Sequence, residues 1–374
     1  MLHFQQARAF ADKCTHRRTS APPISPFVLK SLAVVLLGIS TLVLVFAALL
    51  SAGGYPTGAA LFALWNGAFG SWYSITSATL VRAVPLMLTG GAVAIAFRAG
   101  VFNVGAEGQL LAGAAGAAAV ALALPGGGAV TTIAALCAGA VAGAAWASIA
   151  AVLRARFGVL EVISSIMLNF IGLHALSYLV RGPLQEATRV YPQSSTIADA
   201  VRLALVPGAG RLHVGLVIAV VLLAVAGWML RRTAMGFRLV AVGENSAAAA
   251  SAGMIDTKRV IFGAFLVSGA IAGLAGAVEV LGVTYALYEN ISPGYGYTAI
   301  AVALLAGLDP WRVLVSAILF AALAAGAGAM QRDAGVPATL VSVIEAMLIL
   351  AVVAVQTVRW RRRAPLASSA RQMT

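Results

Sequence analysis

Long unbroken runs of apolar residues decide most of what this chain can become. Several reach roughly 18 residues or more, enough helix to cross the hydrocarbon of a bilayer. In lipid every backbone polar group must be satisfied within the protein, so only helices and closed barrels span it. A barrel would read as short segments of alternating polarity, and these runs are continuous. The chain therefore reads as an all-α polytopic membrane protein. Its composition agrees. It is 61% hydrophobic and 10% charged over 374 residues, where a soluble domain is about half apolar and about a quarter charged.

Ten spans are expected, near 27–50, 78–97, 106–124, 129–153, 160–180, 213–230, 260–282, 296–308, 311–331 and 337–358. The first run is too long for a signal-peptide core and reads as a retained span. The eighth is too short to cross as a straight helix. The net charge of +13 does not point to nucleic acid, because the basic residues sit at the ends of apolar segments. With the N-terminus in the cytoplasm, most Lys and Arg fall inside. The outer ends then hold only Arg82, Arg181, Arg189, Arg202, Arg211 and Arg332. Both termini become basic cytoplasmic tails, 1–26 and 359–374, around a transmembrane domain at 27–358. Two larger soluble segments result. One is an outer loop at about 181–212. The other is an Ala-rich cytoplasmic segment, 231–259, which reads as two short helices lying along the membrane.

Against this background the stretch "AFRAGVFNVGAEGQLLAGAAG", Ala96 to Gly116, stands out. Its middle places Phe102, Asn103, Glu107, Gln109 and the glycines Gly100, Gly105 and Gly108 between apolar runs. A second such break holds Tyr285, Tyr288, Glu289, Asn290, Tyr295 and Tyr297. Each break follows a helix and leads into an apolar run containing Leu-Leu-Ala-Gly. The first follows a span heading inward and the second a span heading outward, so five spans per half make an inverted repeat. Paired breaks in inverted repeats point to a transporter's central site. A charge at mid-helix costs about 2.5–3.5 kcal/mol on insertion scales, so these residues are expected to line a watery pathway. Glu279, Glu345, Asn169, Ser164, Ser165 and His174 lie within or near other spans. More ordinary roles compete for some of them. Glu161 can sit at a helix N-terminus, His174 can pack within its helix, and Gly139/Gly143 and Gly269/Gly273 can let helices approach closely.

No Lys or Arg is expected deep in a span, which disfavours an anionic solute. Amides, hydroxyls and tyrosines suit a neutral, hydroxyl-rich or aromatic one. The lysines, Lys13, Lys30 and Lys258, follow no phosphate-binding glycine loop. No metalloprotease or nucleophile-elbow motif occurs. Cys14 and Cys137 form neither a pair nor a metal site.

Four stretches carry a resemblance: "AFRAGVFNVGAEGQLLAG", "FGVLEVISSIMLNF", "GFRLVAVGENSAAAASAGM" and "GYGYTAIAVALLAGLDPW". They resemble the permease subunit of ATP-binding-cassette importers for nucleosides and simple sugars, within the wider ribose and branched-chain amino-acid group. The likeness runs from about Arg82 to Arg359. It implies a multi-pass protein of the bacterial cytoplasmic (inner) membrane that is not itself an enzyme. It also implies a second similar permease subunit, making a heterodimer, and an external binding protein or lipoprotein. Cytoplasmic ATPase subunits would carry the ATP and Mg, dock on Gly243, Glu244 and Asn245, and act through a segment that includes Gly236, Arg238 and Gly253. The residues alone leave open an ion-coupled transporter using Glu107, Glu279 or Glu345, a facilitative channel, and a membrane-embedded enzyme.

Overall fold

The computed structural model describes residues 40–41, 44–124, 127–251, 253, 255–337, 339–340, 342–343, 346–347 and 350. Glu345, both basic tails and much of the first and last expected spans lie outside them. Contacts divide the chain at Gly53 into a short N-terminal unit and a long one. In the short unit the described residues between 40 and 52 are helical.

The long unit is built of helices. In order they are α1 (Thr57–Phe69), a π-helical run Ser74–Leu80 that leads into α2 (Val81–Arg98), α3 (Ala106–Ala123), α4 (Ala129–Phe157), α5 (Glu161–Arg181), α6 (Gly215–Arg232), α7 (Ala234–Glu244), α8 (Ser246–Ser251), α9 (Thr257–Glu279) continuing through a π-helical run Val280–Thr284, α10 (Tyr295–Leu305) and α11 (Pro310–Ala334). Among the described residues, seven helical stretches are long and apolar enough to cross a membrane. α10, with 11 residues, is about 16 Å long at 1.5 Å per residue and cannot cross alone. α1 falls in a stretch where no span is expected. It has 13 residues, too few to cross, and its Gly67 packs against Gly326 of α11, where a Cβ would come within 3.2 Å of the backbone.

The core is a reciprocal exchange. α9 lies against both α3 and α4, while α2 lies against both α10 and α11. α2 and α9 also touch each other. Each half of the chain thus sends one long helix into the other half, the arrangement an inverted repeat produces when corresponding helices swap. Small residues make the contact possible, because lipid offers no hydrophobic drive and close packing must hold helices together. A Cβ on Gly113 of α3 would lie 2.2 Å from the carbonyl of Gly273 in α9, and one on Gly143 of α4 would lie 2.3 Å from that of Gly269. The glycine pairs are packing devices.

The sequence repeat is looser than the packing. Leu110–Gly113 sits early in α3, whereas Leu304–Gly307 ends α10 and turns the chain with Gly307 at φ 63°. α4 runs four residues beyond its expected end at 153, to Phe157, and stops at Gly158 in the left-handed conformation. Arg154 and Arg156 lie in that last turn, where cations complement the helix dipole. Arg154 pairs with Glu161 at 2.8 Å, so Glu161 serves both as the first residue of α5 and as a partner.

Candidate functional site

After Arg98 the helix ends with Val101 N–H donating to the Ala96 carbonyl and Gly100 at φ 69°. Residues 101–104 have no regular structure, and α3 begins at Ala106. Left alone, such a segment would leave unpaired polar groups in a buried place. Side chains from three helices close them. The amides of Asn103 and Gln109 pair reciprocally, Asn103 Nδ2 donating to Gln109 Oε1 at 3.1 Å and Gln109 Nε2 donating to Asn103 Oδ1 at 3.0 Å. Asn103 Nδ2 also donates to the Ser268 hydroxyl of α9 at 2.9 Å, and its Oδ1 accepts from Gly105 N–H. From α5, Asn169 accepts from Gly108 N–H at 2.9 Å and donates to the Val104 carbonyl at 3.0 Å. Ser165 accepts from Val104 N–H.

Asn103, Gln109 and Asn169 are at most 2% exposed. Every polar atom of their side chains is bonded within the protein. In this structure these residues, expected to line a pathway, are buried and tie the break together. The chemical reason is sound. An unmatched amide in a dry interior costs about 1–3 kcal/mol, and complementary amides remove that cost. Ser268 adds a partner that its place in a Gly/Ala-rich helix does not advertise.

Glu107, 7% exposed, has a different partner. Its Oε2 accepts from the backbone N–H of Gly296 at 2.7 Å. Gly296 is the second residue of α10, and Glu107 is the second residue of α3. The two helix N-termini therefore meet, with one carboxylate between them. Each terminus carries a partial positive charge and free N–H groups, so an anion there is favoured. The approach is close enough that a Cβ on Gly296 would lie 2.2 Å from the Glu107 nitrogen. At its far end, α10 is tied to α2, since Arg98 donates to the carbonyls of Leu308 at 3.1 Å and Gly307 at 3.3 Å. With α10 about 16 Å long, the chain after Arg98 must climb back along it before α3 begins. The first break is thus re-entrant.

The second break is built against the loop between α5 and α6, expected to lie outside. α9 passes through its π-run to Tyr285 at φ 57°. Loop residues then pair with it as short extended contacts. Ser194 N–H donates to the Leu287 carbonyl at 2.8 Å, Ile197 N–H to that of Tyr285 at 2.8 Å, and Leu203 N–H to that of Leu281 at 2.9 Å. Arg202 stacks its guanidinium 4.4 Å from the centre of the Tyr285 ring. Glu289 accepts from Arg181 Nη2 at 3.0 Å and from the Ser177 hydroxyl. The hydrogen bond from Arg181, with that from Ser177, holds its carboxyl down at about 2. Tyr295 packs partly buried on the core, and the Ser292 hydroxyl caps α10 by accepting from Gly294 and Tyr295 N–H. Tyr288 is 36% exposed and Tyr297 45%, and Asn290 is exposed. Phe102, on the first break, is 55% exposed and meets Phe97 edge to face at 5.3 Å. Each break therefore offers at least one exposed ring, while Glu289 is engaged by Arg181.

Glu279 is buried in α9. His174 is exposed on α5. His213, two residues before α6, is fully buried with its Nδ1 accepting from Gly215 N–H at 3.2 Å.

The segment expected to couple to partners folds as two short helices, α7 and α8. α7 is seated by its glycines, with no room for a side chain at either. A Cβ on Gly236 would lie 2.2 Å from the Met229 carbonyl of α6, and one on Gly243 would lie 2.0 Å from the Arg98 carbonyl of α2. Thr233 caps α7 by accepting from Gly236 N–H at 3.1 Å, and Asn245 accepts from Ala248 N–H at the start of α8. Arg238, Glu244 and Asn245 are exposed, and Gly253 turns the chain at φ 73°. Nearby, Arg231 at the end of α6 pairs with Asp309, which caps α11. Although partial burial works against it, this bond keeps the Asp309 carboxyl low.

Residues 75–353 match the family described as branched-chain amino acid transport system / permease component. The chain is 41% identical to the glucose ABC transporter permease protein TsgB13 of Haloferax volcanii, over 72% of this chain and 74% of that protein. It is 38% identical to the guanosine ABC transporter permease protein NupP of Bacillus subtilis, over 82% and 88%. It is 34% identical to the nucleoside ABC transporter permease protein NupB of Lactococcus lactis, over 76% and 80%. No solved structure matches.

Proposed function

We propose a working cycle for a chain whose family is settled: it belongs to the branched-chain amino acid transport system / permease component family and is the membrane-spanning permease subunit of an ABC importer. Its cargo is a neutral solute, a nucleoside before a simple sugar. Two of the relatives above are named for guanosine and nucleosides and one for glucose. The exposed rings at both breaks, Phe102, Tyr288 and Tyr297, support a flat cargo, since aromatic faces stack on flat rings. The carboxylates at the breaks, Glu107 and Glu289, are already engaged.

The observation that carries the cycle is the seating of α7. It is keyed to α6 at Gly236 and to α2 at Gly243, and α2 is tied by Arg98 to the turn after α10. A push on α7 and α8 from ATPase subunits in the cytoplasm would therefore move α2 and α10 together. The exposed Glu244 and Asn245 offer the contact, and Gly253 the hinge beyond it. ATP and Mg belong to those subunits. A second, similar permease subunit completes the pathway, an external binding protein delivers the solute, and the assembly sits in the bacterial inner membrane.

The test is uptake by liposomes containing this chain with its partner permease, ATPase and binding protein. Guanosine should accumulate only with ATP, and leucine should not. Uptake by the chain alone on a proton or sodium gradient would overturn the reading in favour of an ion-coupled transporter. Failure of all nucleosides, with glucose transported, would move the cargo to sugars.

A further inference from the structure

Between α7 and α9 lies a groove that the transport cycle does not use. It is a cavity of about 350 Å³ walled by Ile95 of α2, Met229 of α6, Leu239 of α7, and Val260, Ala264 and Val267 of α9. Its lining is nearly all apolar, with two exceptions. Arg238 on α7 and Arg259 at the start of α9 stand at it, and both are exposed. Arg259 has a carboxylate partner in Asp256 at 2.9 Å, itself half exposed. Arg232, the last residue of α6, and Lys258, the second residue of α9, are also exposed. Along α9 the wall is open at Gly263, where a Cβ would meet nothing within 4 Å.

An apolar cleft between α7 and membrane-spanning helices, with guanidiniums on α7 and in the first turn of α9, fits one ligand chemistry. It needs a hydrocarbon chain for the cleft and a phosphate for the cations. Basic pockets between spans at the cytoplasmic boundary hold anionic lipid headgroups in this way, and guanidinium suits phosphate through paired N–H bonds. We propose that this groove binds an anionic phospholipid, with its phosphate on Arg238 and Arg259 and an acyl chain along the α9 face past Gly263. An acidic surface of a partner protein would satisfy the arginines but not the cleft. The walls come from α2, α6, α7 and α9, so the lipid would wedge between the seated α7 and the helix that crosses between the halves. The inference stands on the groove alone and does not depend on the identity of the cargo.

Two variants separate headgroup from chain. Arg238→Gln/Arg259→Gln removes the phosphate contacts and leaves the cleft. Gly263→Leu fills the cleft and leaves the charges, at a helical position with open space, so folding is not at risk. The purified chain would be delipidated in detergent, offered phosphatidylglycerol or phosphatidylcholine with identical acyl chains, and read by native mass spectrometry. The wild type should retain phosphatidylglycerol roughly tenfold or more over phosphatidylcholine, as two guanidiniums predict. The double variant should lose that preference while still binding both lipids weakly. Gly263→Leu should lose retention of phosphatidylglycerol. Equal retention of the two lipids by the wild type would overturn the proposal. So would variants that bind lipid as the wild type does but fail to hold an ATPase subunit, which would make the arginines a protein contact.

Discussion

The two breaks in this permease solve the same problem in opposite ways. The first, between α2 and α3, is sealed from within. Asn103, Gln109, Asn169, Ser165 and Ser268 satisfy its backbone and one another, and Asn103 is 0% exposed. The second, between α9 and α10, is secured from outside by the loop between α5 and α6 and by the Arg181–Glu289 pair, and it keeps Tyr288, Asn290 and Tyr297 at the surface. A matched network in a dry interior is rigid, because moving one member strands the others. At the second break the loop residues Ser194, Ile197 and Leu287 are buried too, and the exposed bond is the Arg181–Glu289 pair. We propose that the first break is the fixed seat and that the second, which keeps Tyr288, Asn290 and Tyr297 at the surface, is the part that moves and meets solute. Glu107 joins them, since its carboxylate receives the first turn of α10.

The largest effect should come from that joint. Gly296→Val would drive a side chain into the Glu107 backbone, so the variant should insert but lose uptake altogether and unfold in mild detergent. Wild-type-like uptake would mean the helix ends are not in contact. Next is Asn103→Leu. It strands Gln109, Ser268 and the Gly105 N–H, at about 1–3 kcal/mol for each buried group left unpaired. Thermal unfolding of the purified chain should shift down by many degrees, and uptake should fall with it. If instead stability held and only uptake fell, Asn103 would face solute.

At the second break the pattern should invert. Tyr288→Ala/Tyr297→Ala should leave stability within about 1 kcal/mol, as surface changes usually do, yet raise the solute concentration for half-maximal uptake about tenfold, the worth of about 1.4 kcal/mol of lost stacking. The smallest effect concerns Glu289. Its carboxyl is held at about 2 against an ordinary 4.5. The ionised form is favoured in the folded state, so its contribution is present above pH 4.5 and is lost as pH falls toward 2. The difference in unfolding temperature between wild type and Glu289→Gln should be constant from pH 7 to pH 5 and close below that. A difference that grows in acid would contradict the pairing.

Much of this is written in the chain, and the limits have physical causes. Apolar runs locate the spans because lipid enforces them. The apolar run places α4 within four residues, and the helix continues past 153 through Arg154 and Arg156 to its stop at Gly158. α1 is hidden because its 13 residues are too few to read as a span, although its Gly67 packs it onto α11. The breaks are legible because amides, a carboxylate and glycines coincide in oily sequence. What they do is not. Gln109 lies six residues from Asn103, but Ser268 lies 165 residues away, and the partner of Glu107 is a backbone N–H that no residue type announces. Isolated residues suggest a pathway, and only their pairing turns Asn103, Gln109 and Asn169 into a frame.

Hydrogen exchange on the assembled importer, with and without ATP, tests the contrast between fixed and moving breaks most directly. Amides from 103 to 109 should stay protected to the same degree in both states, while those from 285 to 297 should change protection when ATP binds. Equal changes at the two breaks, or a change confined to 103–109, would contradict it.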